Sequence, residues 1–404
     1  MSKCCIFGLG YIGLPTAVLI ANHGHKVHGV EINLEIINLV NDGKTNISEP
    51  GLSKVLENAV KKGNFTAGKD PIDSDIFIIT VPTPFIKNET TIIPKPDLTF
   101  VLNAARSIAK VIKKGDLVLL ESTSPVGTTE KVLQVINEIT NLDLGEIFIA
   151  YCPERVIPGD ILNELIYNDR VVGGLNNEST EKGKQFYESF CKGKVRSTTS
   201  RTAELVKLAE NAYRDVNIAY ANEISLICKH QNINPYEMIK LANNHPRVNI
   251  LKPSCGVGGH CIAVDPWFIA FNSPKQTKLI QQARKVNIEK TEWVFQNILE
   301  VSLKTKFYKQ GILTIGCLGL TYKANVDDIR ESPALEITKR LINKKNFNVL
   351  VNEPNLEKTN FVKLSDINEI EEKCQIIIIL VPHNEYKNLN WENKIVLDYC
   401  GIDE

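Results

Sequence analysis

The sequence has no excess of charge of either sign: Lys+Arg and Asp+Glu both number 47 in 404 residues. A balanced surface offers no broad basic field for nucleic acid or an anionic membrane, although a local anion site is compatible with it. No apolar run approaches the ~20 residues needed to span a bilayer. The start, MSKCCIFGLGYIGLP, has an apolar run broken by glycines but no charged n-region and no cleavage site. It therefore reads as a buried strand and not as a signal peptide. These absences predict a cytoplasmic protein with no nucleic-acid or membrane partner. The ten cysteines lack regular spacing and make no disulfide framework in a chain of this size. Cys255 and Cys261 flank His260, but no second Cys/His pair completes a zinc site, so no metal is expected.

What is present is ordinary for a globular protein, 43% hydrophobic and 23% charged. The length exceeds what one hydrophobic core supports and predicts two or three domains. Lys3–Phe7 reads as a buried strand followed at once by Gly8, Leu9, Gly10, Tyr11, Ile12 and Gly13. Helical pattern resumes over 14–23, and a second strand, Lys26–Val30, ends on Glu31. A dinucleotide fingerprint needs glycines for the tight turn, the pyrophosphate approach and the helix–strand packing. It also needs an acid about 20 residues on for the ribose hydroxyls. Ile32 and Asn33 follow Glu31, and no Arg is there to hold a 2′-phosphate, which favours NAD over NADP.

The alternation continues with a strand at 75–81, a helix at 99–112, and strands at 116–120 and 146–150. Pro82, Thr83 and Thr123 follow strand ends, where doubly wound sheets bind ligands. Glu154 and Arg155 follow another, and Glu154 is read equally as a loop acid or a site residue. Residues 202–231 contain no Pro or Gly and predict one helix of about thirty residues. Lys207 and Asn211 share a face of it, with Glu204, Arg214 and Asp215 nearby. The stretch 254–267, SCGVGGHCIAVDPW, sets Cys261 after a run of glycines and four residues before Asp265. Glycines there would let the backbone approach a ligand, and a thiol on such a loop is a candidate nucleophile.

The last third echoes the first: a strand at 311–320, then 349–353 resembling 27–31, then 375–382 resembling 75–82. Lys323 and Arg330 lie in TYKANVDDIRESPA, whose helix start at Ser332 and Pro333 suits an anion. The expected fold is α/β, two Rossmann-like doubly wound domains joined by a long central helix. Its divisions are a cofactor domain at 1–198, a central helical segment with the Cys loop at 199–300, and a second Rossmann-like domain at 301–404.

The motifs FGLGYIGLP, VPTPF, ESTSPVGTTEK, YCPERVIPG, SRTAELVKLAENAYRDVNIAYANE, HPRVNIL, GVGGHCIAVDPWF and DDIRESPA occur in this order nearly end to end. Together they resemble the UDP-sugar 6-dehydrogenases, which oxidise a nucleotide sugar's primary alcohol to a carboxylate with two NAD. The resemblance implies that Cys261 is the nucleophile and that Asp265, Lys207 and Asn211 act beside it. It implies that Thr123 and Glu154 lie by the reacting carbon, with Glu154 as base for thioester hydrolysis. Arg247 would reach the substrate of a neighbouring subunit, Lys323 the UDP-sugar and Arg330 the NAD. Within or beside these segments, Arg155, Val156, Asn249, Gly256, Gly258 and Tyr322 are assigned to substrate. Gly8, Gly10, Tyr11, Ile12, Gly13, Glu31, Pro82, Thr83 and Thr123 are assigned to the cofactor. UDP-glucose enzymes usually carry a second Glu four residues after the position of Glu154, where this chain has Pro158. They also tend to carry an Arg near the C-terminus, where 396–400 reads VLDYC. Both departures argue against glucose and agree with the N-acetylmannosamine branch, which makes a UDP-sugar the expected partner molecule.

Two other classes compete. A one-step hydroxyacid dehydrogenase shares the fold and a helical lysine but needs no cysteine, and a non-catalytic nucleotide-binding protein needs neither. The long helix, apolar over much of its circumference, predicts a homodimer or higher homo-oligomer, with Ile218 and Ala219 facing the interface.

Overall fold

In a computed structural model the protein is described over residues 1–86, 93–157, 159–305 and 312–402. Pro158 and Gly311 lie outside these residues. The chain divides into two compact units, Met1–Ala209 and Glu210–Glu404. No described helix is long and apolar enough to cross a membrane.

The first unit is built on eight strands: β1 (Lys3–Phe7), β2 (Lys26–Val30), β3 (Phe65–Gly68), β4 (Ile76–Ile79), β7 (Leu117–Leu120), β8 (Phe148–Tyr151), β9 (Arg170–Gly174) and β10 (Val195–Thr199). A separate antiparallel pair joins β5 (Phe85–Ile86) to β6 (Lys95–Pro96). The large sheet runs β10-β9-β8-β7-β4-β1-β2-β3 and is parallel except where β8 meets β9. Parallel strands covered on both faces must be apolar throughout, and all four residues of β4, β7 and β8 are buried. Because successive side chains alternate across a sheet, Cys4, Ile6 and Ile78 feed one core while Cys5, Phe7 and Phe77 feed the other. The first core is covered by α1 (Gly13–Asn22), α2 (Leu34–Asn41), α3 (Leu52–Lys61), α6 (Ile161–Tyr167) and α7 (Asn177–Glu188). The second is covered by α4 (Thr99–Ile108) and α5 (Thr128–Thr140). This is a doubly wound sheet, as expected.

The long helix α8 (Ser200–His230) contains the boundary between the units and closely matches the expected span. The second unit then holds α9 (Pro235–Ala242), α10 (Asp265–Asn272) and α11 (Lys278–Lys304). Its sheet, β12 (Phe347–Asn352), β11 (Leu313–Leu318), β13 (Ile376–Ile379) and β14 (Ile395–Asp398), is wholly parallel in that order. Helices α11 and α12 (Pro333–Ile342) pack on one face, and α13 (Ile367–Lys373) on the other. The echo in the sequence is thus half of a doubly wound sheet.

Strands β3 and β10 escaped the sequence reading because they are the two edges. FTAG and VRSTT are polar and largely exposed, without the apolar run of an interior strand. Ala219 is only 4% exposed and packs within its own chain, which removes it as an interface residue. The exposed apolar side chains of α8 are Leu205, Tyr213, Tyr220 and Ile227, spaced by about two turns along one stripe.

Candidate active site

The first unit presents a dinucleotide cradle. Gly8 has φ +91°, and a Cβ there would stand 3.0 Å from Thr80 O. A Cβ on Gly13 would stand 1.9 Å from Gly8 O, so only glycine closes this turn. Around Gly10, by contrast, a Cβ would meet nothing within 4 Å, which leaves open space for a ligand. Helix α1 starts behind this space with no side-chain cap and no acid in its first turn. Its first N–H groups and the positive end of its dipole suit a pyrophosphate. Glu31 accepts Leu9 N at 3.1 Å through Oε2, and Ile32 N at 2.8 Å and Asn33 N at 3.1 Å through Oε1. The acid therefore props the glycine turn from β2 and lies where ribose hydroxyls would meet it. These residues fit NAD.

Further along the same carboxyl edge, Thr83 Oγ1 donates to Thr123 O at 2.6 Å and Ser122 Oγ to Val81 O at 2.8 Å. The ends of β4 and β7 are thus tied together, which brings two of the predicted residues into contact, while Pro82 is exposed beside them. Glu154 is nearly buried and pairs with Arg170 at 3.0 Å. Arg170 stacks on the Tyr187 ring at 4.8 Å, and Tyr187 OH donates to Glu121 Oε1 at 2.7 Å. One cation therefore serves two carboxyls. Burial raises Glu121 to about 7, with Arg170 pulling it down and Glu154 pushing it up. The Arg155 side chain is committed to the carbonyl of Asp169, and Val156 packs on the core. Glu49 holds the loop, accepting Gly159 N at 2.9 Å and Ile161 N at 2.7 Å. No local pattern marks Glu49 or Arg170 as a site residue, and Glu121 stands in the ESTSPVGTTEK motif without a role assigned to it.

On α8, Lys207 is half-buried. Glu204 is a structural residue: it accepts Gly127 N at 2.7 Å, Thr129 N at 2.9 Å and Thr129 Oγ1 at 2.6 Å, capping α5. Asp215 is structural too, meeting Arg284 at 2.7 Å and Asn287 at 2.8 Å. Asn287 in turn accepts from Asn222 at 2.9 Å, and Asn222 accepts Ser254 N at 2.9 Å, which anchors the start of the cysteine loop. Asn211 donates to Asp265 at 2.6 Å, both buried.

Cys261 is exposed, and its carbonyl accepts Asp265 N at 2.8 Å, closing the turn that starts α10. The glycines ahead of it do not simply make room for a ligand, as the sequence suggested. A Cβ on Gly256 would stand 2.1 Å from Thr291 Oγ1, one on Gly258 2.8 Å from Tyr322 Cβ, and one on Gly259 2.9 Å from the Tyr322 ring. They let the loop lie flat on Tyr322, Thr291 and Pro333. Arg247 and Asn249 are exposed on a loop that Asn243 brackets, through 2.9 Å and 2.7 Å bonds to Ile250 O and N. Lys323 is exposed, whereas Arg330 is bidentate on Asp328 at 2.8 and 2.6 Å. The start of α12 is capped by Ser332, which accepts Leu335 N, and carries Glu336 in its first turn.

The first unit offers a cradle for NAD, and the second an accessible thiol one turn ahead of an amide–carboxylate pair; each suits an NAD-linked oxidoreductase. Three models of the UDP-glucose/GDP-mannose dehydrogenase family match the chain: the NAD binding domain over 2–191, the central domain over 201–289 and the UDP binding domain over 316–402. The chain belongs to that family and is an NAD-dependent UDP-sugar dehydrogenase. It is 44% identical to UDP-N-acetyl-D-mannosamine dehydrogenase of Escherichia coli K12, over 98% of each chain. It is 42% identical to an NDP-N-acetyl-D-galactosaminuronic acid dehydrogenase of Ralstonia nicotianae, over 98% of this chain and 95% of the other. The solved structure of a UDP-D-ManNAc dehydrogenase from Pyrococcus horikoshii superposes with a TM-score of 0.90 at 36% identity, covering 100% of this chain and 96% of that one.

Proposed function

We propose that this protein oxidises C6 of UDP-N-acetyl-D-mannosamine to the uronate through a covalent Cys261 intermediate. The observation that carries the covalent route is the exposed Cys261 thiol one turn ahead of Asp265, whose carboxylate holds Asn211 at 2.6 Å. Bound NAD supplies the two hydride acceptances the overall change needs. One alcohol, two NAD and one water give one acid, two NADH and two protons beyond the carboxyl's own.

The chain's residues supply the rest. The thiolate of Cys261 adds to the C6 aldehyde, forming a C–S bond and an alkoxide. Asn211 has two amide hydrogens, and with one held by Asp265 the other is oriented to donate to that alkoxide. The ammonium of Lys207, one turn along the same face of α8, donates as well. Such donors are worth roughly 3–4 kcal/mol each where an oxyanion develops. Loss of the second hydride leaves a thioester, which water cleaves as Glu154 takes its proton and the thiolate departs. Thr123 positions the C6 hydroxyl, and Tyr322, Lys323 and Asn249 hold the nucleotide sugar. Arg330 swings from Asp328 toward the cofactor. The similarity to the mannosamine enzymes supports the sugar, while the Ralstonia relative keeps an N-acetylgalactosamine nucleotide as the second reading.

The working unit in this proposal is a homodimer in the cytoplasm, where NAD and UDP-sugars are available. The central segment 199–300 pairs through Tyr213, Tyr220 and Ile227, and Arg247 extends to the partner's substrate. The test is a panel of UDP-ManNAc, UDP-GalNAc, UDP-GlcNAc and UDP-glucose with NADH counted per sugar consumed. We expect two NADH, fastest with UDP-ManNAc, and no acid from Cys261→Ala, which still binds NAD. One NADH per sugar would make it a one-step dehydrogenase, and acid formation by Cys261→Ala would refute the covalent route.

A further inference from the structure

Three adjacent strands of each sheet, β2-β1-β4 and β12-β11-β13, pair in the same relative register. Phe7 pairs with Val30 and Ile79, and Leu318 pairs with Asn352 and Ile379, so these are equivalent triplets. Counting on from each strand end, Gly8 corresponds to Gly319, Leu9 to Leu320, Gly10 to Thr321, Glu31 to Glu353 and Thr83 to His383. Three bonds recur. Leu320 N donates to Glu353 Oε2 at 2.7 Å, as Leu9 N donates to Glu31. Asn355 N donates to Glu353 Oε1 at 3.0 Å, as Asn33 N donates to Glu31. Gly319 N donates to Asn352 O at 3.0 Å, as Gly8 N donates to Val30 O.

What differs is what the side chains at these positions face. In the first unit they border open space at Gly10. In the second they bond to one another. Glu353 Oε2 also accepts Thr321 N at 3.1 Å, and His383 Nε2 stands 3.1 Å from it and 3.2 Å from Thr321 Oγ1. The Asn325 N–H can only donate, and it meets His383 Nδ1 at 3.0 Å, with Asn355 Nδ2 at 2.9 Å. The imidazole proton therefore lies on Nε2, facing Glu353. Glu353 and His383 are fully buried, and the Tyr386 ring packs perpendicular to the imidazole with centroids 5.5 Å apart.

A cleft that takes a dinucleotide in one copy is thus filled by its own side chains in the other. The loop 321–325, which carries Tyr322 and Lys323, is fastened at both ends: Thr321 to Glu353 and His383, Asn325 to His383. We propose that His383 is a positioning residue for UDP recognition, holding the 321–325 loop so that Lys323 and Tyr322 meet the nucleotide. This rests on the reading that those two residues contact the UDP-sugar.

The experiment uses the full chain and UDP alone as probe, titrated calorimetrically, with KM, kcat and NAD affinity measured in parallel. His383→Ala should weaken UDP binding and raise the sugar nucleotide KM about ten- to hundredfold, the range expected when buried partners lose a hydrogen bond. Changes in kcat and in NAD affinity should stay within about twofold, because the cradle in the first unit keeps its own bonds. Added imidazole, or His383→Gln, whose amide can donate to Glu353, should restore UDP binding, which a purely structural lesion would not allow. If His383→Ala does not fold, Asn355→Ala removes one bond to the same ring and should shift UDP affinity in the same direction. Unchanged UDP affinity in the folded variant, or an equal loss of NAD affinity, overturns the proposal. Failure of the wild type to bind UDP would instead refute the substrate reading beneath it.

Discussion

Glu121→Gln should make the first unit more stable at pH 8 and leave its stability near pH 4.5 unchanged. Glu121 is 3% exposed, one oxygen accepts from Tyr187, and Oε2 has no hydrogen-bond partner among the described residues. Burial lifts its pKa from 4.5 to about 7, with Arg170 opposing and Glu154 reinforcing. The folded pKa is therefore above the unfolded one, so between those values the native state holds a proton that the unfolded chain has lost. The contribution is complete below about pH 4.5 and is lost as pH rises through about 7. A shift of about 2.5 units at ~1.4 kcal/mol per unit gives on the order of 3 kcal/mol. Glutamine is neutral throughout, still accepts from Tyr187 and keeps the volume, so it escapes this loss. All three tryptophans, Trp267, Trp293 and Trp391, lie in the second unit. Their fluorescence would miss the effect, and hydrogen exchange of the β7 and β8 amides from pH 4.5 to 8, corrected for intrinsic rates, reads it directly. Parallel pH profiles for wild type and Glu121→Gln would refute the assignment of the titration to this carboxyl.

Glu31 should enforce NAD over NADP, through the ribose diol and repulsion of a 2′-phosphate; equal kcat/KM for the two cofactors would sink that role. Tyr220→Asp puts a charge on a side chain 52% exposed in the single chain, and should turn dimers into monomers of lower activity in light scattering. A wild type that is monomeric and fully active at assay concentration would end the shared-site reading.

What the sequence disclosed was local. The turn from Gly8 to Gly13 needs residues without side chains within one short stretch, and Glu31 sits one strand later. Helix α8 was legible because nothing in 31 residues interrupts it. Helices α2, α7, α9 and α13 each carry a local start signal, an Asn or Asp cap at Asn33, Asn176, Asn234 and Asp366. The bonds that assemble the site were not legible. Asn211 and Asp265 are 54 residues apart, Tyr187 and Glu121 66, and Glu49 and Ile161 112. No periodicity or spacing links such pairs, because the fold alone brings them together.

Ten thiols in one chain invite indiscriminate chemistry, yet their settings separate them sharply. Cys261 is the exposed one. Burial pushes up the other nine, to about 11 for Cys5 and about 12 for Cys4, Cys152, Cys255, Cys317 and Cys374, and upward for Cys191, Cys228 and Cys400. The thiolate is the species that peroxides and alkylating agents attack, and a group that stays protonated and covered is inert to them. Among the cysteines, reaction is therefore directed first to Cys261, the one on which turnover would depend. An electrophile applied to the native chain acts as a count of active centres, and it becomes a count of all ten thiols only after the chain unfolds.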